Sequence, residues 1–157
     1  MKKSNIICFI SWVVSLIKAD VSIVDSLWSL FFLAASIVFV VFEQPLSSRG
    51  QLVFTLVIIW SLRLSIYLTI RNWRQPEDYR YQIIRANNQP NFALKSLYKI
   101  FGLQGALAWL VSLPLLPAIT SDASLSWIDL VAVVLWLIGF TFEAVGDYGL
   151  AKNMIDY

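Results

Sequence analysis

Three ionisable side chains lie inside apolar sequence, where a charge is costly: Arg63, Glu143 and Asp147. A charge at the centre of a bilayer costs about 2.5–3.5 kcal/mol on insertion scales, so such residues usually face a partner, the bundle interior or a wet cavity. Arg63 sits about seven residues, roughly 10 Å, from the end of its apolar stretch at 1.5 Å per residue. Trp60, Arg63, Tyr67 and Arg71 share one helix face by their three- and four-residue spacing. Glu143 and Asp147 are four residues apart and also share a face. Two like charges so placed repel unless a cation, a shared proton or hydrogen-bond donors intervene. Arg63 is the obvious protein partner. The plain reading is a structural ion pair, with Arg63 snorkelling toward the interface. The sharper one is a ligand site where polar groups converge from several helices.

Asp25 is a further candidate. Ser22-Ile-Val-Asp25 has capping-box spacing, which would satisfy amides at a helix start; the alternative is an acid that belongs to a site. Trp28, on the same face, reads as an interface anchor. Gln104 lies between Gly102 and Gly105, where small residues let helices approach and a side-chain amide can bond across them.

Histidine is absent and Cys8 is the single cysteine. Ser-His-Asp hydrolysis, histidine base chemistry, a zinc cluster and an internal disulfide are therefore excluded. No metal site is expected. A net charge of +2 without a basic run argues against nucleic acid. Any chemistry falls to carboxylates, tyrosines, arginines or a bound cofactor.

The elements that must carry these residues are transmembrane helices. Only 14% of residues are charged and 59% are hydrophobic, against about 25% charged in an ordinary soluble domain. Polar punctuation separates five apolar stretches: residues 5–17, 21–42, 51–70, 97–119 and 127–150. The first is short for a span of about 20 residues. Spans in lipid must satisfy their own backbone, so the expected fold is all-α, a polytopic transmembrane bundle of about five helices in one domain over 1–157. The loop 71–99 carries Arg71, Arg74, Arg80, Arg85, Lys95 and Lys99. Positive charge favours the cytoplasmic side, which places this loop and the C-terminus inside and the N-terminus outside, with Lys2 and Lys3 at odds with the rule. Pro76-Glu77-Asp78 predicts the start of a loop helix, with Tyr79, Ile83 and Ile84 as its apolar side. That loop is either a membrane-surface helix or a basic lid whose arginines, Arg71 and Arg80 among them, hold an anionic cofactor phosphate.

Several segments resemble the bacterial membrane reductases related to steroid 5-alpha-reductases, a group often filed as a domain of unknown function. They are Asp20-Val-Ser-Ile-Val-Asp25-Ser-Leu-Trp28, Trp60-Ser-Leu-Arg63-Leu-Ser-Ile-Tyr67, Arg71-Asn72, Glu77-Asp78-Tyr79-Arg80-Tyr81, Leu103-Gln104-Gly105 and Glu143-Ala-Val-Gly-Asp147-Tyr148-Gly-Leu150. Each is weak alone, but their order spans nearly the whole chain. The resemblance implies a seven-helix bundle of the bacterial inner membrane that binds NADPH from the cytoplasm. It also implies reduction of a carbon–carbon double bond conjugated to a ketone, in a hydrophobic, lipid-like enone. Hydride would come from the nicotinamide while an acid–tyrosine pair polarises the ketone oxygen. By motif position Asp147 resembles the aspartate on the cofactor, with Glu143, Arg63, Arg71 and Arg80 in the same region. Asp25 and Tyr67 then stand as catalytic candidates.

Two departures qualify the resemblance. Trp60 occupies the place of a catalytic tyrosine, and Glu143 that of an asparagine, so among steroid- or lipid-like enones the expectation shifts from the classical steroid reaction toward another enone or an unsaturated lipid. Relatives continue with two more helices and a motif resembling Arg-His-Pro-Asn-Tyr-x-Gly-Glu, so the chain is expected to represent five spans of a seven-span protein, with half of the cofactor site elsewhere. The alternatives are a non-enzymatic membrane subunit or small transporter, and an inactive family fragment.

Overall fold

The computed structural model describes Trp12, Ser15, Val21 and residues 23–43, 45–72 and 75–155, with 151–155 as backbone alone. The chain is all-helical over these residues. Its elements are α1 (Ile23–Phe42), α2 (Ser48–Arg71), α3 (Tyr79–Asn87), α4 (Phe92–Ser96), the π-helix π1 (Leu97–Gly102), α5 (Leu103–Ser112), α6 (Leu115–Ile119) and α7 (Trp127–Ile155). α1, α2 and the Trp127–Leu150 part of α7 are long and apolar enough to cross a bilayer, at 20, 24 and 24 residues. The expected first stretch lies mostly outside the described residues, as do Ser22 and Arg74. The expected fourth stretch is not one uniform helix. It runs through π1 and α5 and then breaks before Pro114, whose ring cannot continue the backbone ladder.

Small residues bring α1 and α2 together. Ser26, Ser29 and Ser36 of α1 are buried, as are Gly50, Val57 and Ser61 of α2. The Ser29 hydroxyl donates to the Ser61 carbonyl at 2.9 Å. In lipid such packing and interhelical bonding replace the hydrophobic drive of water. Gly50 is the tightest contact: a Cβ built there would lie 2.5 Å from the Ile119 carbonyl oxygen, so only glycine lets α6 cross here. Phe31, Phe32 and Ala108 form the core above this seam, with Trp28 and Trp60 against it. Trp28 is thus a packing residue, edge-on to Phe32 with ring centroids 4.9 Å apart.

Capping fixes the loop helix. Asp78 is the N-cap of α3, accepting from the Arg80 amide at 2.9 Å. Of its expected apolar side, Ile84 packs against the core beside the buried Tyr81, while Tyr79 and Ile83 lie at the surface. The helix begins at Tyr79, and that register turns Tyr81 toward Val21, Val24 and Phe101.

α7 is joined to the bundle mainly by polar ties. None of its spanning segment is buried. At one end Arg49 Nε and Nη2 meet Asp129 Oδ1 and Oδ2, both at 2.7 Å. Asp129 Oδ2 also accepts from the Ser126 amide at 2.7 Å and from its hydroxyl at 3.0 Å, which makes one half of a capping box over Ser126-Trp-Ile-Asp129. Arg63 and Glu143 pair nearer the other end. Fourteen residues separate Arg49 from Arg63 and fourteen separate Asp129 from Glu143, about 21 Å of helix on each side. α2 and α7 therefore run parallel and in register.

Candidate functional site

Two polar clusters occupy the end of the bundle that carries the basic loop. The first surrounds Arg63. Its Nη1 donates to Asp147 Oδ2 at 2.6 Å, and its Nη2 lies 2.8 Å from Glu143 Oε2. The second contact is an ion pair whose N–H bonds are not aligned for hydrogen bonding. Trp60 Nε1 donates to Glu143 Oε2 at 2.9 Å, and the Tyr67 hydroxyl donates to the Asp147 backbone carbonyl at 2.9 Å. The guanidinium sits over the Phe140 ring, 5.2 Å from its centroid. The side chains of Arg63, Glu143 and Asp147 are 20%, 33% and 18% exposed, so the cluster is sheltered without being sealed. Helical periodicity explains the convergence: Trp60, Arg63 and Tyr67 on α2 face Phe140, Glu143 and Asp147 on α7.

The second cluster surrounds Asp25. Its carboxylate accepts from the Tyr81 hydroxyl at 2.6 Å and from Arg80 Nη2 at 3.1 Å. Arg80 also bonds Asp78 through Nε and Nη2, at 3.1 and 2.9 Å. The Arg80 side-chain and backbone N–H groups hold the Asp78 carboxyl below its ordinary range, and the charge of Arg71 adds to this. Burial, then the hydrogen bond to Asp25, push the Tyr81 phenol well above its usual range, so it stays neutral at any ordinary pH. Glu77, its side chain only 11% exposed, anchors the cluster. It takes a bidentate contact from Arg85 at 2.9 and 2.7 Å and accepts from the Val21 amide at 2.9 Å.

Arg71 lies between the clusters. Its guanidinium is 5.7 Å from the Tyr67 ring centroid, and its charge is felt at Asp78. Of the residues singled out in the sequence, Arg63, Tyr67, Glu143 and Asp147 form one group, Asp25 and Arg80 another, and Arg71 connects them. Asp25 and Tyr67 are each committed elsewhere, to Tyr81 and to Asp147 respectively. Tyr81, Glu77 and the tie between Arg49 and Asp129 were not singled out as site or anchoring residues. The acid-rich start of α3 and the Ser126-x-x-Asp129 spacing were the signals available.

The motifs that build both clusters lie within one family match. A family model described as "Protein of unknown function (DUF1295)" covers residues 11–153. The chain belongs to this family. No curated protein and no solved structure matches it. In this DUF1295 protein, the match runs from before α1 almost to the end of α7, so both clusters fall inside the family domain. Three span-length apolar helices make it an integral membrane protein. Among the described residues no group of three or more metal-ligating side chains could hold an ion.

Proposed function

We propose that this DUF1295 protein is a membrane-bound, NADPH-dependent reductase of conjugated carbon–carbon double bonds in lipid-like enones, related to the steroid 5-alpha-reductases. The observation that carries the reading is the meeting of Arg63, Glu143, Asp147 and Tyr67 at the basic-loop end of three membrane helices. A site at that end opens to the cytoplasm if the positive charges of the loop set the orientation.

The donor set suits a nicotinamide dinucleotide. Arg71 and the largely exposed Arg80 can pair with phosphate oxygens. Glu143 and Asp147 contact Arg63 through Oε2 and Oδ2, so the second oxygen of each can accept from a ribose hydroxyl or a carboxamide. Arg63 Nε is buried and unpartnered among the described residues, a donor that a ligand oxygen would satisfy. When bound, the cofactor would supply hydride. Arg63 holds the two carboxylates in place, and Tyr67 fixes the α7 backbone at Asp147. Asp25 and Tyr67 stay the candidates for the acid–tyrosine role, with Tyr81 beside Asp25 as a further one; either hydroxyl would have to turn from its present acceptor, the Asp147 carbonyl for Tyr67 or the Asp25 carboxylate for Tyr81, to reach a substrate oxygen. A donor at the carbonyl oxygen stabilises the charge that develops there during reduction.

One observation favours a second reading, a non-enzymatic subunit: Arg63 is clasped by two carboxylates, as in a purely structural tie. Nicotinamide fluorescence separates the two. NADPH titrated onto the full chain in lipid vesicles should show saturable enhancement, and Asp147→Ala should weaken binding at least severalfold. Equal affinity in wild type and variant would favour the structural tie.

A further inference from the structure

α2 and α7 are tied at two points and stand apart between them. The ties are Arg49 with Asp129 and Arg63 with Glu143 and Asp147. Between these levels lies an apolar crevice of about 270 Å³. Val53, Val57 and Trp60 of α2 form one wall and Trp136 of α7 another, with Val111 and Leu115 closing the third side. Val111 is 55% exposed, so the crevice opens outward between α5 and α7.

Its depth defines its surroundings. Val53 to Trp60 lie five to twelve residues into α2 from Ser48, roughly 8–18 Å from the helix end opposite the basic loop. A hydrocarbon core is about 30 Å thick, so this is the interior of the leaflet opposite that loop. Water does not reach that depth, and an unfilled apolar gap forfeits its dispersion contacts. At about 30 Å³ for a water-sized group, the space holds roughly nine such groups, a methylene being of similar size.

We infer that the crevice binds one acyl chain of a bilayer phospholipid, entering sideways from the leaflet opposite the basic loop. The walls are apolar and aromatic, which selects a hydrocarbon and offers nothing to a headgroup. Trp60, whose indole N–H is given to Glu143, closes the end nearer the charged cluster. This inference is independent of the reductase reading, because it requires no cofactor. A reductase whose NADPH site failed would still retain the lipid.

The test uses the full chain reconstituted in phosphatidylcholine vesicles and released from detergent micelles into a native mass spectrometer. One phospholipid adduct per chain is expected, since loosely associated lipids are stripped. Val53→Trp and Val111→Trp, which fill the crevice from opposite walls, should each reduce the adduct at least fivefold. Val134→Trp, on the outward face of α7, should leave it unchanged. Absence of the adduct, or an adduct indifferent to both fillers, would overturn the inference. A phosphatidylcholine with a mid-chain diazirine decides the matter on the wild-type chain alone, even where a filler variant misfolds. Its retained copy should label Val53, Val57, Val111 or Trp136. Labelling confined to the outward face around Ile138 and Phe142 would overturn it equally.

Discussion

Replacing Arg63 by methionine would leave two carboxylates facing each other in a sheltered site. Methionine keeps most of the volume and none of the charge, so packing against Phe140 is largely spared. Removing one partner of a buried ion pair costs about 3–5 kcal/mol, because the remaining charges stay desolvated without compensation. Glu143 is the most open member at 33%, and some screening reaches it. The lower end of that range, about 3 kcal/mol, is therefore expected; at 1.4 kcal/mol per factor of ten it is on the order of a hundredfold in the folding equilibrium. Neutralising the whole cluster, with Arg63→Met, Glu143→Gln and Asp147→Asn together, should recover most of the loss, since no buried charge is left stranded. The assay is reversible unfolding in mixed lipid–detergent micelles, followed by far-ultraviolet circular dichroism and tryptophan fluorescence. An Arg63→Met protein within about 0.5 kcal/mol of wild type would show the pair to behave like an exposed surface bridge. A triple variant no better than the single one would refute the charge argument.

Other perturbations probe the remaining contacts. Gly50→Ala should destabilise by about 1–3 kcal/mol, the usual range for overpacking, because its Cβ meets the Ile119 carbonyl oxygen. Gly146→Ala meets nothing within 4 Å, so it should be neutral or stabilising by up to about 1 kcal/mol of helix propensity; the same unfolding assay compares the two. Tyr81 has a raised folded pKa, so its contribution to stability is complete below the ordinary tyrosine value near 10 and declines as pH rises from there toward the folded value. Tyrosinate absorbance near pH 11 should therefore match in folded wild type and Tyr81→Phe, and differ by one tyrosine only after unfolding. Asp78 is shifted the other way, so its smaller contribution is present above pH 4 and is lost as pH falls through its depressed folded value. Asp78→Asn should accordingly flatten the acid limb of a stability–pH profile.

The sequence made the charged centre legible for a simple reason. Arg63, Glu143 and Asp147 stand in apolar runs, and helical spacing confines each set to one face, so their meeting follows once α2 and α7 are neighbours. That α2 and α7 run parallel follows from counting alternating spans; that they are neighbours in register, tied at both Arg49 and Arg63, could not be read, because it depends on how α4, π1, α5 and α6 return the chain across the bundle. Arg49 and Asp129 were hidden at the ends of apolar stretches, where charges ordinarily serve orientation. The loop helix was visible from Pro76-Glu77-Asp78, but its buried side only at Ile84. A helix beginning at Tyr79 presents Tyr81 to Asp25 and leaves Tyr79 and Ile83 outside, and only tertiary contact selects that register. The break at Pro114 interrupts a stretch expected to run unbroken over 97–119, although the proline itself marks where the backbone ladder fails; the π-helical turn at Leu97–Gly102 has no comparable mark in the residues.

A crystal structure of the full chain grown from a lipidic mesophase with NADPH would test the functional account most directly. The nicotinamide ribose or carboxamide should lie within hydrogen-bonding reach of Asp147 or Glu143, and phosphate oxygens beside Arg71 or Arg80. Cofactor lying elsewhere, or none at saturating concentration while the Arg63 clasp stands intact, would contradict it.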